Sequence, residues 1–198
     1  IFLQADEKLN YPISKLILEG PEDQLQLTKN TQPAILTVSY SIFEVLKNEF
    51  GFNLNTFKYF AGHSLGEYSA LVCSGSLNFT DALYLLHERG MAMQDAVPIG
   101  KGSMIAILGI NTEDVEKLLK SLEGNKGVCE IANDNANGQV IVSGNKESVI
   151  SLQILLKEKK IKSIPLKVSA PFHCALMKPA ALKMQGKISN TKFNNPLV

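Results

Sequence analysis

Apolar positions recur at helical spacing through most of the first hundred residues. Residues 2–9 and 12–18 carry two short helical patterns, and Gly20-Pro21 marks a turn after them. Thr31-Gln32-Pro33-Ala34 opens a longer one: Pro33 suits a first helical turn, and Ile35, Val38, Ile42, Val45 and Leu46 share one face to about Phe50. The apolar run 57–61 predicts a buried strand, and 68–73 has a helical pattern. Thr80 is the predicted N-cap of a further helix that turns Ala82, Leu83, Leu85 and Leu86 inward and runs past Arg89 to about Met93. Residues 97–102, rich in Gly and Pro, interrupt the pattern as a linker.

Beyond the linker the alternation changes. Residues 103–108, 128–132, 139–143 and 161–168 read as strands. Residues 112–122, capped by Asn111 or Thr112, and 146–159 read as helices. The order β-α-β-β-α-β is the ferredoxin-like pattern, expected as an inserted subdomain over 101–168. Residues 1–100 and 169–198 then form the larger α/β domain.

Between the predicted strand 57–61 and the helix after it stands Gly62-His63-Ser64-Leu65-Gly66, a G-x-S-x-G motif. Strand, sharp turn and helix are the setting of a nucleophile elbow, so the larger domain is expected to be a hydrolase-like core with a mostly parallel sheet. Side chains at Gly62 and Gly66 are expected to clash with neighbouring backbone in so tight a turn. The turn would raise the Ser64 hydroxyl and aim the Leu65 N–H at a developing oxyanion.

A serine nucleophile needs a base, and three histidines are available. His63 adjoins Ser64, where side chains point apart, which suits a pocket or packing role; His87 lies inside a predicted helix, as a surface or packing residue. His173, in the proline-stiffened turn Ala170-Pro171-Phe172-His173-Cys174, is the better-placed base. No Asp or Glu is near it in sequence, so a group from elsewhere in the fold or a backbone carbonyl would have to hold its tautomer.

Composition narrows the setting. The chain has 198 residues, 45% hydrophobic and 20% charged, with a net charge of +1, as expected of a soluble protein of one large or two small domains. That balance points to neither nucleic acid nor an anionic membrane, and no apolar stretch spans a bilayer. No basic n-region precedes the first apolar residues, and Cys73, Cys129 and Cys174 lack metal-ligand spacing. A cytoplasmic protein with reduced thiols and no metal is expected. Of the 20 basic residues, 19 are lysine and one is Arg89. Arg89 is either a chance surface residue or a planar fork for a carboxylate, which lysine cannot provide.

Several segments in order carry a family resemblance: Gln32-Pro33-Ala34, the stretch from Gly62 to Val72, Arg89-Gly90, Met93-Gln94, Gly138-Gln139-Val140, and the stretch from Pro171 to Ala180. Together they resemble the malonyl-CoA:acyl carrier protein transacylases of fatty-acid synthesis, over essentially the whole chain. The resemblance implies a ping-pong acyltransferase that moves malonyl from malonyl-CoA to the phosphopantetheine thiol of acyl carrier protein. It makes Ser64 the nucleophile, His173 the general base and then acid, Leu65 N–H an oxyanion donor, and Arg89 the clamp on the malonyl carboxylate. Met93 and Phe172 would line the acyl pocket, and Gln32 would stand close to the active site. Asn133 and Asn135, expected in the strand-loop that faces the cleft, are site residues or simple turn formers. No cofactor is implied, the CoA thioester being a substrate, and the enzyme is expected to be a monomer. Lys101, Lys162 and Lys167 either meet the acidic carrier protein or are solvated surface.

The family's initial strand, ending in a G-Q-G-S-Q-like segment with a second oxyanion donor, has no counterpart here, and a segment orienting the base would follow Val198. The chain is therefore expected to be cut at both ends and, alone, to have reduced or no transferase activity. Two other readings remain: a serine thioesterase or hydrolase, for which a carboxylate clamp has no use, and an inactive fragment that binds the carrier protein.

Overall fold

The computed structural model describes residues 1–122 and 127–197. The chain divides into two compact units: Ile1–Met91 with Lys183–Val198, and Ala92–Leu182. The sheet lies within the predicted span 101–168, while the unit built around it takes in residues on either side.

Helices build the first unit: α1 (Phe2–Leu9), α2 (Ile13–Glu19), α3 (Glu22–Leu25), α4 (Thr28–Glu49), α5 (Gly66–Cys73) and most of α6 (Phe79–Ala96). Its core gathers Ala5, Ile13, Leu36 and Val72 around Leu83, Leu85 and Leu86 of α6. The predicted inward face of α6 is thus fully buried, although the helix starts at Phe79, one residue before the expected Thr80 cap.

Two expectations for this unit fail. Residues 57–61 form no strand, and Phe57 and Tyr59 are exposed. A strand needs a neighbour to pair its backbone N–H and C=O groups, and this unit offers no other strand among its described residues. The mostly parallel sheet is likewise absent among the described residues; the strands present are antiparallel. The long helix also departs from its reading. It begins at Thr28, which places Pro33 inside it, and it buries Gln32, Pro33, Ala34, Leu36 and Thr37. The stripe of Ile35, Ile42, Val45 and Leu46 is left exposed, with Ile42 at 56%.

The second unit runs β1 (Gly102–Leu108), α7 (Thr112–Ser121), β2 (Cys129–Ala136), β3 (Gln139–Asn145), α8 (Lys146–Glu158) and β4 (Lys162–Pro165), and takes in the start of α9 (Lys178–Ser189). The sheet order is β2-β3-β1-β4, antiparallel throughout. Alternation along β1 and β3 sends Ile105, Ile107, Val140 and Val142 to one face, against Val115 of α7 and Val149, Leu152 and Leu156 of α8. Asn111 proves to be the cap of α7: its side chain accepts from the Asp114 N–H at 2.9 Å. Strand β2 reaches Ala136, four residues beyond its predicted end, because two register irregularities absorb Ala132 and Asn135.

Candidate active site

The elbow forms without its strand. Ser64 has φ of 53°, a left-handed conformation that costs a non-glycine residue energy and persists only where its surroundings hold it. The hold is local. His63 C=O accepts from Gly66 N–H at 2.8 Å, and Ser64 C=O accepts from Glu67 N–H at 3.1 Å. A Cβ at Gly62 would lie 1.9 Å from the carbonyl carbon and oxygen of Gly66, so only glycine lets the two limbs of the turn touch. The same expectation for Gly66 fails, since a Cβ there meets nothing within 4 Å. Leu65 is the N-cap residue of α5, where N–H groups precede the first helical hydrogen bonds. His63 is exposed.

Helix α6 brings Arg89 to this serine. Arg89 Nη2 donates to Ser64 Oγ at 3.2 Å, and Nη1 donates to Gln32 Oε1 in a short hydrogen bond. Gln32 is buried, and its Nε2 donates in turn to Thr28 Oγ1 at 2.9 Å. Four side chains from three segments thus form one chain of hydrogen bonds, Thr28–Gln32–Arg89–Ser64. Burial pushes the Arg89 pKa below its ordinary value, and nearby Tyr68 and Glu67 partly offset this. Tyr68 is pushed up by burial; Arg89 pulls it back and Glu67 adds to the rise.

The approach of α6 to α4 rests on two residues beside Arg89. A Cβ at Gly90 would fall 2.5 Å from Lys29 Cα and 2.6 Å from Thr28 O, so the helices meet backbone to backbone. Pro33 has no N–H, which deprives the Lys29 carbonyl of its helical donor. His87 Nδ1 lies 3.2 Å from that oxygen and supplies the replacement as the N–H donor. A surface or packing reading of His87 misses this bond; its signal in the sequence is Pro33, which inside a helix takes the usual donor from the carbonyl four residues earlier.

The second unit holds the other predicted residues. His173 also has a left-handed backbone, φ 57°, in the segment between β4 and α9. That segment is pinned to the sheet. Pro171 rests where a Cβ on Gly102 would come within 2.3 Å of its ring. Phe172 N–H donates to Met104 Sδ at 3.3 Å, and Ala175 N–H donates to Glu130 Oε2 at 2.8 Å. The acid that the fold brings here thus binds backbone two residues past His173. Sequence spacing had no means of finding it, since 45 residues separate the partners. Met93 is buried in a cluster with Ala92, Val97, Ala170, Met177 and Ala180, and Phe172 packs against it. Asn133 and Asn135 lie on strand β2, not in a loop; Asn133 is half-buried and Asn135 exposed.

Cys73, Cys129 and Cys174 are free thiols. Among the described residues no cluster of metal-ligating side chains is present, and no helix is long and apolar enough to cross a membrane.

Comparison with known proteins bears on this arrangement. The sequence profile described as "Acyl transferase domain" matches residues 4–198. The malonyl CoA-acyl carrier protein transacylase of Bacillus subtilis is 45% identical over 186 residues, covering 93% of this chain and 57% of its own length. The chain thus spans less than two thirds of that relative. An acyl-carrier-protein-S-malonyltransferase from Bartonella henselae superposes with a TM-score of 0.93 at 42% identity, covering all of this chain and 63% of its own. A malonyl-transacylase solved with its type II PKS acyl-carrier protein gives a TM-score of 0.93 at 40% identity, covering 99% of this chain and 62% of its own. With the profile matched across nearly its whole length and the serine elbow formed, this chain belongs to the acyl transferase domain family.

Proposed function

We propose that this chain carries the acyl-transfer site of a malonyl-CoA:acyl carrier protein transacylase. The observation that carries the reading is the contact of the chain's one arginine with both the elbow serine and a buried glutamine. A half-buried guanidinium beside a nucleophile suits a substrate with its own carboxylate, because the planar fork pairs two oxygens at once. Acetyl groups would leave that cation unpaired, so the site discriminates against them. A simple serine esterase or thioesterase gains nothing from such a group. The malonyl names and the carrier-protein complex among the relatives support the same substrates for this chain.

In the proposed reaction Ser64 Oγ attacks the thioester carbonyl while its proton passes to His173. The tetrahedral oxyanion accepts from Leu65 N–H. The C–S bond breaks, CoA thiolate takes the proton back from His173, and a malonyl ester remains on Ser64. The carrier protein's phosphopantetheine thiol gives its proton to His173 and attacks the ester. The tetrahedral adduct collapses with cleavage of the C–O bond to Ser64, the malonyl group leaves on the carrier thiol, and His173 returns the proton to Ser64 Oγ. Arg89 holds the carboxylate through both halves, with Gln32 beside it and Met93 and Phe172 lining the apolar part. His63, Asn133 and Asn135 are substrate-side residues in this reading. No cofactor takes part.

Residues 1–100 and 169–198 are the helical part of a hydrolase-like core, whose mostly parallel sheet comes from the further length that the relatives have and packs on the apolar stripe of α4; the exposure of Ile35, Ile42, Val45 and Leu46 supports this. Residues 101–168 are a ferredoxin-like subdomain, a reading supported by the β-α-β-β-α-β order and the sheet order β2-β3-β1-β4. The protein works in the cytoplasm as a monomer, and exposed Lys101, Lys162 and Lys167 face the acidic carrier.

The test is incubation with malonyl-CoA, acid quench and peptide mass mapping. A malonyl ester on Ser64, absent with acetyl-CoA and lost in Arg89→Ala, is the expected result. An adduct seen only when the chain is extended to its relatives' length keeps the reading and assigns the missing part to the rest of the family's length. No adduct in either overturns it.

A further inference from the structure

Thr28 stands two hydrogen bonds away from the elbow serine's arginine. A guanidinium only donates, so Gln32 must turn its Oε1 toward Arg89. The NH2 of the same amide then points the opposite way, into a buried environment where it needs an acceptor: Gln32 is 3% exposed and Thr28 6%. Thr28 Oγ1 is that acceptor at 2.9 Å. The two residues sit four apart on α4, one helical turn, so the backbone itself sets their spacing. Gln32 is thus held at both ends of its amide, and Arg89 receives a fixed acceptor on one side while its other nitrogen meets Ser64 Oγ.

We infer that Thr28 is a positioning residue for substrate specificity: its hydroxyl fixes the Gln32 amide, and through it the aim of the Arg89 fork at a substrate carboxylate. The inference rests on Arg89 being the carboxylate clamp proposed above. Removing the hydroxyl leaves a buried NH2 without this acceptor. The amide loses this hold, and with it the guanidinium loses a fixed acceptor on one of its two limbs. Malonyl transfer suffers, because bidentate pairing needs the guanidinium plane aimed at the carboxylate. Acyl groups without a carboxylate make no use of that aim and are affected less.

The chain has a single arginine, which makes the test clean. Protein labelled with 15N-arginine gives guanidinium signals from Arg89 alone. In the wild type, hindered rotation keeps the Nη signals distinct. In Thr28→Val they are expected to merge as the side chain is released, and in Thr28→Ser, which keeps the hydroxyl, to stay distinct. Thr28→Ala removes the same hydroxyl with no demand for space and serves if the valine variant does not fold. In parallel, malonyl ester formation on Ser64 is expected to fall about tenfold in the valine or alanine variant, the scale of one buried hydrogen bond lost, with any acetyl ester from acetyl-CoA falling less. Arg89 signals unchanged in a hydroxyl-less variant, or lost equally in Thr28→Ser, overturn the inference. If the wild type and its extended form make no malonyl ester at all, the transacylase reading fails, while the arginine signals still decide whether Thr28 positions Arg89.

Discussion

Each of the two units holds its proposed functional residues in its own way. In the first unit the nucleophile and the arginine depend on backbone meeting backbone: Gly62 against Gly66 in the elbow, Gly90 against Lys29 and Thr28 between helices. Between them runs a partly buried chain of hydrogen bonds from Thr28 to Ser64. In the second unit the loop bearing His173 is fastened to a sheet by contacts that use side chains, one of them the carboxylate of Glu130 on an exposed backbone N–H. Backbone contacts have no slack, because neither party can rotate away; side-chain contacts can lengthen or be replaced by water. The first half should therefore be brittle and the second forgiving.

The harshest test of that contrast is Gly62→Ala. A methyl group 1.9 Å from the Gly66 carbonyl cannot be accommodated by a rotamer change, so the elbow must open. Displacing a nucleophile by about 1 Å costs about 100-fold in rate, and malonyl ester formation should fall by at least that much. Circular dichroism should meanwhile show the second unit's sheet intact. An alanine variant with ordinary labelling would mean the turn tolerates what its geometry forbids.

Gly90→Ala should come next. Here whole helices can shift, so the expected cost is the overpacking range, about 1–3 kcal/mol, read from the urea midpoint. The Arg89 guanidinium signals should also change, since Gly90 sets the approach that lets Arg89 reach Gln32. Unchanged stability would place the slack of this interface in α4 instead.

Glu130→Gln probes the forgiving half. The amide keeps an oxygen for the Ala175 N–H but loses the charge that strengthens the bond. Amide exchange at Ala175 should quicken several-fold, a local effect, and ester formation on Ser64 should drop less than about tenfold. A loss as large as that of Gly62→Ala would erase the distinction between the halves.

The smallest effect concerns the thiols. Burial raises both Cys73, helped by the negative charge of Glu44, and Cys129, helped by Cys174 and Glu130, to about 11. A raised pKa means less thiolate at neutral pH, so both should alkylate slowly at pH 7.5 and faster as pH climbs toward 11. Rapid modification of Cys129 at neutral pH would show that its strand opens more readily than the rest of the sheet.

Much of this was legible in the residues. The strands of the second unit and their order followed from period-two patterns and turn signals, and the elbow from two glycines around a serine. The lone arginine among 19 lysines marked itself by composition. What could not be read were facts that need a second segment. The run 57–61 has the apolar content of a strand, but pairing depends on a neighbour, and none stands beside it among the described residues of its unit. The stripe from Ile35 to Leu46 obeys helical spacing, yet the face that α4 buries here is the one bearing Gln32, Pro33 and Thr37.

By itself, then, the sequence determined local conformation and the chemical vocabulary: where the chain turns, which periods it follows, and which side chains can attack, clamp or carry a proton. These follow from dihedral preference and side-chain chemistry, which act over a few residues. Only the tertiary structure decided the pairings: Arg89 with Gln32 and Ser64, His87 with the carbonyl that Pro33 leaves unpaired, Glu130 with the backbone beyond His173. Such pairs join residues 25 to 58 positions apart. Nothing in local preference encodes them, because burial of the core brings them together and the need to satisfy buried polar groups then selects which ones meet.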